Sequence, residues 1–183
     1  SRVDPESVDI PPYYPDDPVI RDAIARHYEQ VAVVDDEVGR IVKKLRTLEL
    51  LDKTVVFFFT DHGCPLPRAK QNLYDDGLKV PLIVRMPEKA GAVREDLVSG
   101  IDIPVTSLAL AGIEVPDSME GRDLLADDHE PRTHVIGARD RLGIAVDRVR
   151  TVRTDRYRYI RNFMTDRELY QAQYRDKFAS LMR

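Results

Sequence analysis

The chain has 183 residues, of which 43% are hydrophobic and 33% charged, with a formal net charge of −4 and a single cysteine. This composition excludes an intrinsically disordered chain and is typical of a globular protein with a sizeable core. One cysteine excludes an internal disulfide, no apolar run approaches the roughly 20 residues of a membrane span, and the acidic balance offers no global attraction to nucleic acid or anionic membranes.

The amino-terminal part of the chain predicts an arm followed by a long helix. Residues 1–18 carry five of the twelve prolines and no periodic apolar pattern, which indicates an extended arm. From Pro18 to Leu48 apolar residues recur at helical spacing, with charged residues between them. Asp16 or Asp17 is the expected N-cap, and Pro18 lies in the first turn.

A change of character at Asp61 marks the first candidate for a functional site. Val55 to Phe59 is an unbroken apolar run, typical of a short strand buried on both faces of a parallel sheet. After Thr60 come Asp61, His62 and a glycine, and Lys70 lies nine residues after Asp61. Ligand sites of open α/β sheets lie outside the carboxyl ends of the strands. The pattern therefore predicts a site here, with a solvated turn as the alternative.

The remaining segments predict short strands, one internal helix and a hairpin. Strands are expected at Val80 to Arg85, Val93 to Ser99 and Thr133 to Ala138. A helix is expected within Ser99 to Ile113, with Asp102 in a capping role and Gly112 at its end. A hairpin is expected from Arg148 to Asn162, turning at Thr154 and Asp155, and a terminal helix from Asp166 to Met182. A composition change at residues 126–131 predicts a boundary between domains 1–130 and 131–183.

The order of these elements resembles the second half of a sulfatase, in the alkaline-phosphatase superfamily. The likeness is closest to the sulfamidase (heparan N-sulfatase) group and its bacterial relatives, through Asp61-His-Gly-x-Pro-x-Pro-x-x-Lys70 followed by Asn72-Leu-Tyr. It implies an α/β fold: the C-terminal part of a sulfatase catalytic domain, with a mixed sheet and flanking helices, over residues 1–130. A small antiparallel subdomain is expected to follow it.

The resemblance also implies roles for the residues of the strand end. In the family, the positions of Asp61 and His62 ligate calcium, and the position of Lys70 contacts the sulfate. The family often has Asn where this chain has His62. Because a ring nitrogen suits manganese or zinc better than calcium, these two metals remain alternatives.

Basic residues of the loop and of the C-terminal subdomain are further candidates. The subdomain resembles that of sulfamidase-like sulfatases through Gly137-Ala-Arg-Asp-Arg141 and Tyr157-x-Tyr-Ile-x-Asn162. The predicted contacts to an anionic sugar are Arg68, His134, Arg139 and Arg141. Six arginines of the hairpin alternate with tyrosines and could bind nucleic acid, but the acidic net charge disfavours that interpretation.

The resemblance implies a sulfuric ester or sulfamate hydrolase that acts on sulfated sugars. Its nucleophile, a formylglycine made from Cys-x-Pro-x-Arg, is expected upstream of Ser1, because Cys64-Pro-Leu-Pro-Arg68 does not fit that motif. The chain is therefore expected to be an inactive piece of a larger enzyme. A phosphodiesterase or phosphonate hydrolase of the same superfamily and a non-catalytic interaction domain are the alternatives. A homo-oligomer is compatible with the sequence, and no cellular location is predicted.

Overall fold

The computed structural model describes residues 2–87, 89–142 and 145–166. Its helices and strands are α1 (Pro18–Thr47), β1 (Val56–Phe59), α2 (Asp75–Leu78), β2 (Leu82–Arg85), α3 (Asp102–Leu110), β3 (Val135–Leu142), β4 (Ala145–Arg153) and β5 (Arg158–Asn162). Helices combine with two antiparallel sheets, which agrees with the predicted α/β class. No helix in these ranges has both the length and the apolar content needed to cross a bilayer. Except for Asp166, the predicted terminal helix lies outside the described residues.

Helix α1 begins where the local signals of the sequence place it. The Asp17 side chain accepts a hydrogen bond from the backbone N–H of Val19 at 2.8 Å, and Pro18 occupies the first turn, where its missing N–H costs nothing. The helix ends at Thr47, and the N–H of Leu48 still donates to the carbonyl of Lys44. The predicted helix is confirmed to within one residue at each end.

The predicted arm packs against the first turns of α1 and forms a core with it. Its buried side chains are Val8 and Tyr14 on the arm and Ile20, Ile24 and Ala25 on the helix. Removing an aliphatic side chain of this size from water contributes roughly 1.5–3 kcal/mol. The arm is thus a packed element, and its one regular piece is a 3-10 turn at Pro5–Ser7.

Strand β1 pairs antiparallel with β2. Val56 lies opposite Arg85, and Phe59 lies opposite Leu82. The apolar run predicted a strand with parallel neighbours and two buried faces, but within the described ranges its partner is antiparallel, and Phe59 and Ile83 are exposed. An apolar run indicates that a strand tends to be buried, but it does not determine whether the neighbouring strand is parallel or antiparallel.

The second sheet has the order β3-β4-β5 with antiparallel pairing throughout. The predicted hairpin is confirmed: Thr154 closes the turn, donating its N–H to the Tyr157 carbonyl at 2.8 Å and accepting the Tyr157 N–H on its hydroxyl at 2.9 Å. Alternation along β4 buries Asp147, Val149 and Thr151 on the inner face. That face packs towards the segment between β1 and α2.

Between β2 and β3 the predictions are confirmed in part. The strand expected at Val93 to Ser99 is wrong, because Leu97 forms only an isolated bridge with Arg132 and Val93 is 91% exposed. A short segment of this kind forms a strand only beside another strand, and none of the strands in the described residues pairs with it. Helix α3 stops two residues before Gly112, which has the positive φ of 67° expected after a helix end.

Asp102 has a structural role, but it does not cap α3 as predicted: the N-cap is Ile101, and the Asp102 side chain binds groups outside the helix. It is fully buried and accepts the N–H groups of Ser99 at 2.7 Å and Arg122 at 2.8 Å, and it pairs with the Arg132 guanidinium. Burial acts to raise the pKa of Asp102, but these hydrogen bonds outweigh it and hold the pKa below its ordinary value. Through Arg132 the carboxylate joins residues on both sides of the proposed boundary, and the division into domains 1–130 and 131–183 stays a prediction.

Candidate functional site

The site predicted from the sequence lies in the strand-end loop, defined as residues 60–74 between β1 and α2. The loop folds back on itself by backbone hydrogen bonds: the N–H of Lys70 donates to the carbonyl of Cys64 at 3.0 Å, and the N–H of Asn72 donates to that of Ala69 at 2.9 Å. These bonds satisfy polar groups that no helix or strand pairs. A compact loop of this kind can hold side chains at defined positions.

Two glycines let the loop approach α2 closely. A Cβ on Gly63 would lie 1.7 Å from the Asp76 carbonyl oxygen, and a Cβ on Gly77 would lie 2.1 Å from that of Asn72. The N–H of Gly63 donates to the Gly77 carbonyl at 3.0 Å, so the contact is also a hydrogen bond. The backbone of Gly63, the residue that follows Asp61 and His62, is therefore held in place.

The amino-terminal arm holds the loop from one side. The hydroxyl of buried Tyr14 donates to the carbonyl of Pro67, and the hydroxyl of Tyr13 donates to the Asp76 carboxylate. Burial and the neighbouring Asp76 raise the pKa of Tyr13, so this hydroxyl keeps its proton and remains a donor. The sequence interpretation had assigned no role to either tyrosine, because the only local signal is the pair of adjacent aromatic residues in a proline-rich arm.

Arg68 lies between two aromatic rings. Its guanidinium carbon is 5.5 Å from the centroid of the Tyr13 ring and 5.4 Å from that of Tyr74, distances at which cation–π attraction operates. Its backbone has a positive φ of 63°. Arg68, which was predicted to bind the substrate, therefore already contacts Tyr13 of the arm and Tyr74 of the loop.

Asp61 and His62 come together at the end of β1. His62 Nε2 lies 3.5 Å from Asp61 Oδ1, and the Asp61 side chain is 86% exposed. His62 Nδ1 is 2.7 Å from the Gly63 carbonyl oxygen. Since a carbonyl only accepts, this contact uses Nδ1 as the donor, and Nε2 is the ring nitrogen on the side of the Asp61 carboxylate.

This donor set fits part of a divalent-cation site. A histidine ligand usually donates its other ring N–H to a carbonyl or carboxylate, as His62 does, and a carboxylate oxygen lies beside its free nitrogen. Within the described ranges no third His, Cys, Asp or Glu joins them to form a larger group. The two residues would fill two positions of such a site, and its other ligands would have to come from elsewhere.

Lys70 combines an exposed side chain with a held backbone. Its N–H donates to Cys64, and its carbonyl accepts from the side-chain amide of Asn72 at 3.2 Å. The structure thus places Asp61, His62 and Lys70 on one braced loop. Cys64 is half-buried, and burial raises the pKa of its thiol, which leaves it a poor nucleophile.

The predicted contacts in the C-terminal subdomain do not converge. Arg139 is buried on the inner face of β3, where it contacts the strand-end loop. Arg141 is exposed beside a shallow cleft that also contains Arg148 and Arg150, and exposed His134 lies just before β3. The roles of these residues in substrate binding stay predictions. Asp147, the partner of Arg139, was not predicted, although a single acid at an inward position of an arginine-rich strand was a signal for a buried ion pair.

Two family models match the chain. The model described as sulfatase matches residues 6–113, and the model described as N-sulphoglucosamine sulphohydrolase, C-terminal, matches residues 68–177. They overlap in the segment that contains Arg68, Lys70 and Arg85.

Relatives and a solved structure agree with these matches. An ulvan-active sulfatase of Formosa agariphila is 34% identical over 94% of this chain and 30% of its own length. The human N-sulphoglucosamine sulphohydrolase is 36% identical over 62% of this chain and 23% of its own length. A structure of a protein in complex with its substrate D-glucosamine-2-N,6-O-disulfate superposes with a TM-score of 0.62, at 26% identity, over 82% of this chain and 33% of that one.

The chain therefore spans a third or less of the length of these proteins. Its match to the sulfatase model includes α1, β1, the strand-end loop and α3, and the match to the second model extends through the β3–β5 sheet. The resemblance stated from Asp61, His62 and Lys70 is confirmed at the level of the family, and the chain belongs to the sulfatase family.

Proposed function

We propose that this chain is the C-terminal part of a sulfuric ester or sulfamate hydrolase that acts on sulfated sugars. The observation that carries the proposal is the strand-end loop, which presents Asp61, His62 and Lys70 from a backbone fixed on two sides. The relatives support the substrate class, since they include an ulvan-active sulfatase and an N-sulphoglucosamine sulphohydrolase. The solved neighbour was captured with a sulfated glucosamine.

Asp61 and His62 would hold a divalent cation, through a carboxylate oxygen and Nε2. We propose calcium, with manganese and zinc as the alternatives that the ring nitrogen favours. Such an ion polarises a sulfate oxygen. Lys70 would stabilise the negative charge that develops on the sulfate oxygens, and its held backbone means that little reorganisation is needed in the transition state.

The attacking group is proposed to lie outside these 183 residues. Cys64 is the only cysteine here, and its surroundings and motif do not suit conversion to a formylglycine. The isolated chain is therefore expected to turn over no sulfate ester. Measurable hydrolysis of an aryl sulfate by the purified chain, abolished by Asp61→Ala, would contradict this assignment.

A second candidate is hydrolysis of phosphodiesters or phosphonates. His62 favours it, because the free ring nitrogen beside a carboxylate suits transition metals, which polarise phosphoryl oxygens equally well. Comparing an aryl sulfate, a sulfated glucosamine and an aryl phosphodiester as substrates of the full-length polypeptide separates the two. Higher kcat/KM for the phosphodiester would favour the second candidate.

The test of the site uses Lys70→Ala in the full-length polypeptide that carries this chain. Loss of one preorganised charge donor should lower kcat/KM by about a hundredfold, roughly 3 kcal/mol. Lys70→Arg should retain part of the activity. Lys53→Ala is the matched control, since Lys53 is an exposed lysine at the other end of β1. If Lys70→Ala kept full activity while Arg68→Ala lost it, the role assigned to Lys70 would be wrong.

A further inference from the structure

Arg139 and Asp147 form a buried ion pair between neighbouring strands of the β3–β5 sheet. The Asp147 side chain is fully buried, and that of Arg139 is 6% exposed. Burying two charges costs several kcal/mol in lost hydration, and a well-packed apolar pair is often at least as stable. A pair kept at this cost is better explained by the geometry it imposes than by the stability it adds.

The geometry is imposed on the strand-end loop. One terminal nitrogen of Arg139 donates to the carbonyl of Gln71 and to the side-chain oxygen of Asn72, each at 2.9 Å, and the other donates to Asp147. The Asn72 amide then donates to the carbonyl of Lys70 at 3.2 Å. A continuous path of hydrogen bonds thus runs from Asp147 through Arg139 and Asn72 to the backbone of Lys70.

The loop needs such a support because its backbone is strained at this point. Gln71 has a φ of 67°, in the left-handed region that residues other than glycine occupy at a cost of about 1–3 kcal/mol. The Gln71 carbonyl is the group that Arg139 binds. Without that bond, the φ angle of Gln71 can relax to a negative value. This change would turn the Lys70 side chain in a different direction.

Arginine suits this task better than lysine. Its planar guanidinium presents several N–H donors in fixed directions, so that one group can bind Asp147 and two loop acceptors together. Asp147 fixes the guanidinium from behind. The buried position also leaves Arg139 little access to a sugar, which favours a supporting role over the substrate contact predicted from the sequence.

We propose that Arg139, held by Asp147, is a positioning residue that fixes the backbone at residues 70–72 and thereby directs the Lys70 ammonium. The proposal rests on the proposed function for its catalytic consequence only. Its structural statement, that the pair holds this part of the strand-end loop, can be tested without activity.

The activity test is a double-mutant cycle in the full-length polypeptide. Arg139→Ala should lower kcat at least tenfold with a smaller change in KM, because substrate still binds but the charge donor is misdirected. In a Lys70→Ala background the same change should lower kcat less than threefold, since no ammonium remains to be positioned. Arg139→Lys should restore part of kcat. Arg161→Ala, on the exposed face of β5, is the control and should leave kcat unchanged.

The structural test is limited trypsin digestion of the same proteins, with cleavage after Lys70 followed by mass spectrometry. Arg139→Ala should accelerate this cleavage at least tenfold, and Arg161→Ala should not. If Arg139→Ala does not fold, Asp147→Asn takes its place in both tests, because it keeps the side-chain volume and removes the charge that orients Arg139.

Equal losses of kcat in the Lys70 and Lys70→Ala backgrounds would overturn the proposal, since they would make Arg139 a general stabiliser. Unchanged cleavage after Lys70 would overturn it as well. If the wild-type polypeptide hydrolyses no sulfate, the proposed function fails, and the cleavage rates alone decide whether the Arg139–Asp147 pair holds the loop.

Discussion

The strand-end loop and the second half of α1 are ordered in opposite ways. The loop has no regular structure, yet Tyr14 and Arg139 hold it from outside and Gly63 is pressed against the backbone of α2. The second half of α1 is regular but only partly covered by the described residues. Its exposed apolar side chains are Val33, Val34 and Ile41, at 48–57%, whereas Val38, Val42 and Leu45 are half-buried.

The difference shows where each segment gets its order. A helix satisfies its backbone groups internally, so it can extend beyond its packing partners. A loop has no such pattern, and each buried N–H or carbonyl needs a particular partner. A substitution that disturbs a backbone contact in the loop should therefore cost much more than the same substitution in the exposed part of α1.

The sharpest comparison is the same glycine-to-alanine change in the two regions. Gly63→Ala places a methyl group 1.7 Å from a backbone oxygen, and should destabilise the 183-residue chain by more than about 3 kcal/mol. Gly39→Ala in α1 meets nothing within 4 Å and should stabilise it by roughly 0.5–1 kcal/mol. Urea unfolding of both variants measures the two free energies.

Opposite signs for the two glycine variants would support the comparison. A loss smaller than about 1 kcal/mol for Gly63→Ala would show that the loop can move away from α2, and the compact geometry described for the site would then be wrong.

The second comparison lies within α1 itself. Ile24 is buried under the arm, whereas Ile41 is 52% exposed, although both are among the apolar residues that recur along the predicted helix. Ile24→Ala should lower the free energy of unfolding of the 183-residue chain by about 2–3 kcal/mol, and Ile41→Ala by less than about 0.5 kcal/mol. Similar losses at both positions would mean that Ile41 is covered in solution.

This contrast also marks how far the sequence predicts the fold. The limits of α1 follow from local signals, namely Asp17 as the N-cap and the helical spacing of apolar residues. Periodicity predicts an apolar face, but whether Ile41 is buried depends on which element lies against it. The strand expected at Val93 to Ser99 failed for the same reason, because within the described residues the segment forms only the isolated bridge between Leu97 and Arg132.

The site shows the same limit in its polar residues. Asp61, His62 and Lys70 stand in one short motif, so their presence on one loop was predictable. The support was not, because Arg139 and Gln71 are 68 positions apart and meet only after the β3–β5 sheet has formed. The positive φ of Gln71 likewise has no local sequence signal, since glutamine rarely adopts it.

The smallest expected effect belongs to Tyr14, the residue that joins the two regions. Its ring packs with Ile20 and Ile24 at the start of α1, and its hydroxyl donates to the Pro67 carbonyl in the strand-end loop. Tyr14→Phe keeps the ring and removes the donor, so it should cost about 1 kcal/mol in urea unfolding of the 183-residue chain. Tyr159→Phe on exposed β5 is the matched control and should change stability by less than about 0.5 kcal/mol.

Because the ring still packs on α1, Tyr14→Phe should loosen the loop alone. Tryptic cleavage after Arg68 should accelerate, while cleavage within α1 should not. Equal acceleration at both places would show that the arm, the loop and the start of α1 open as one unit.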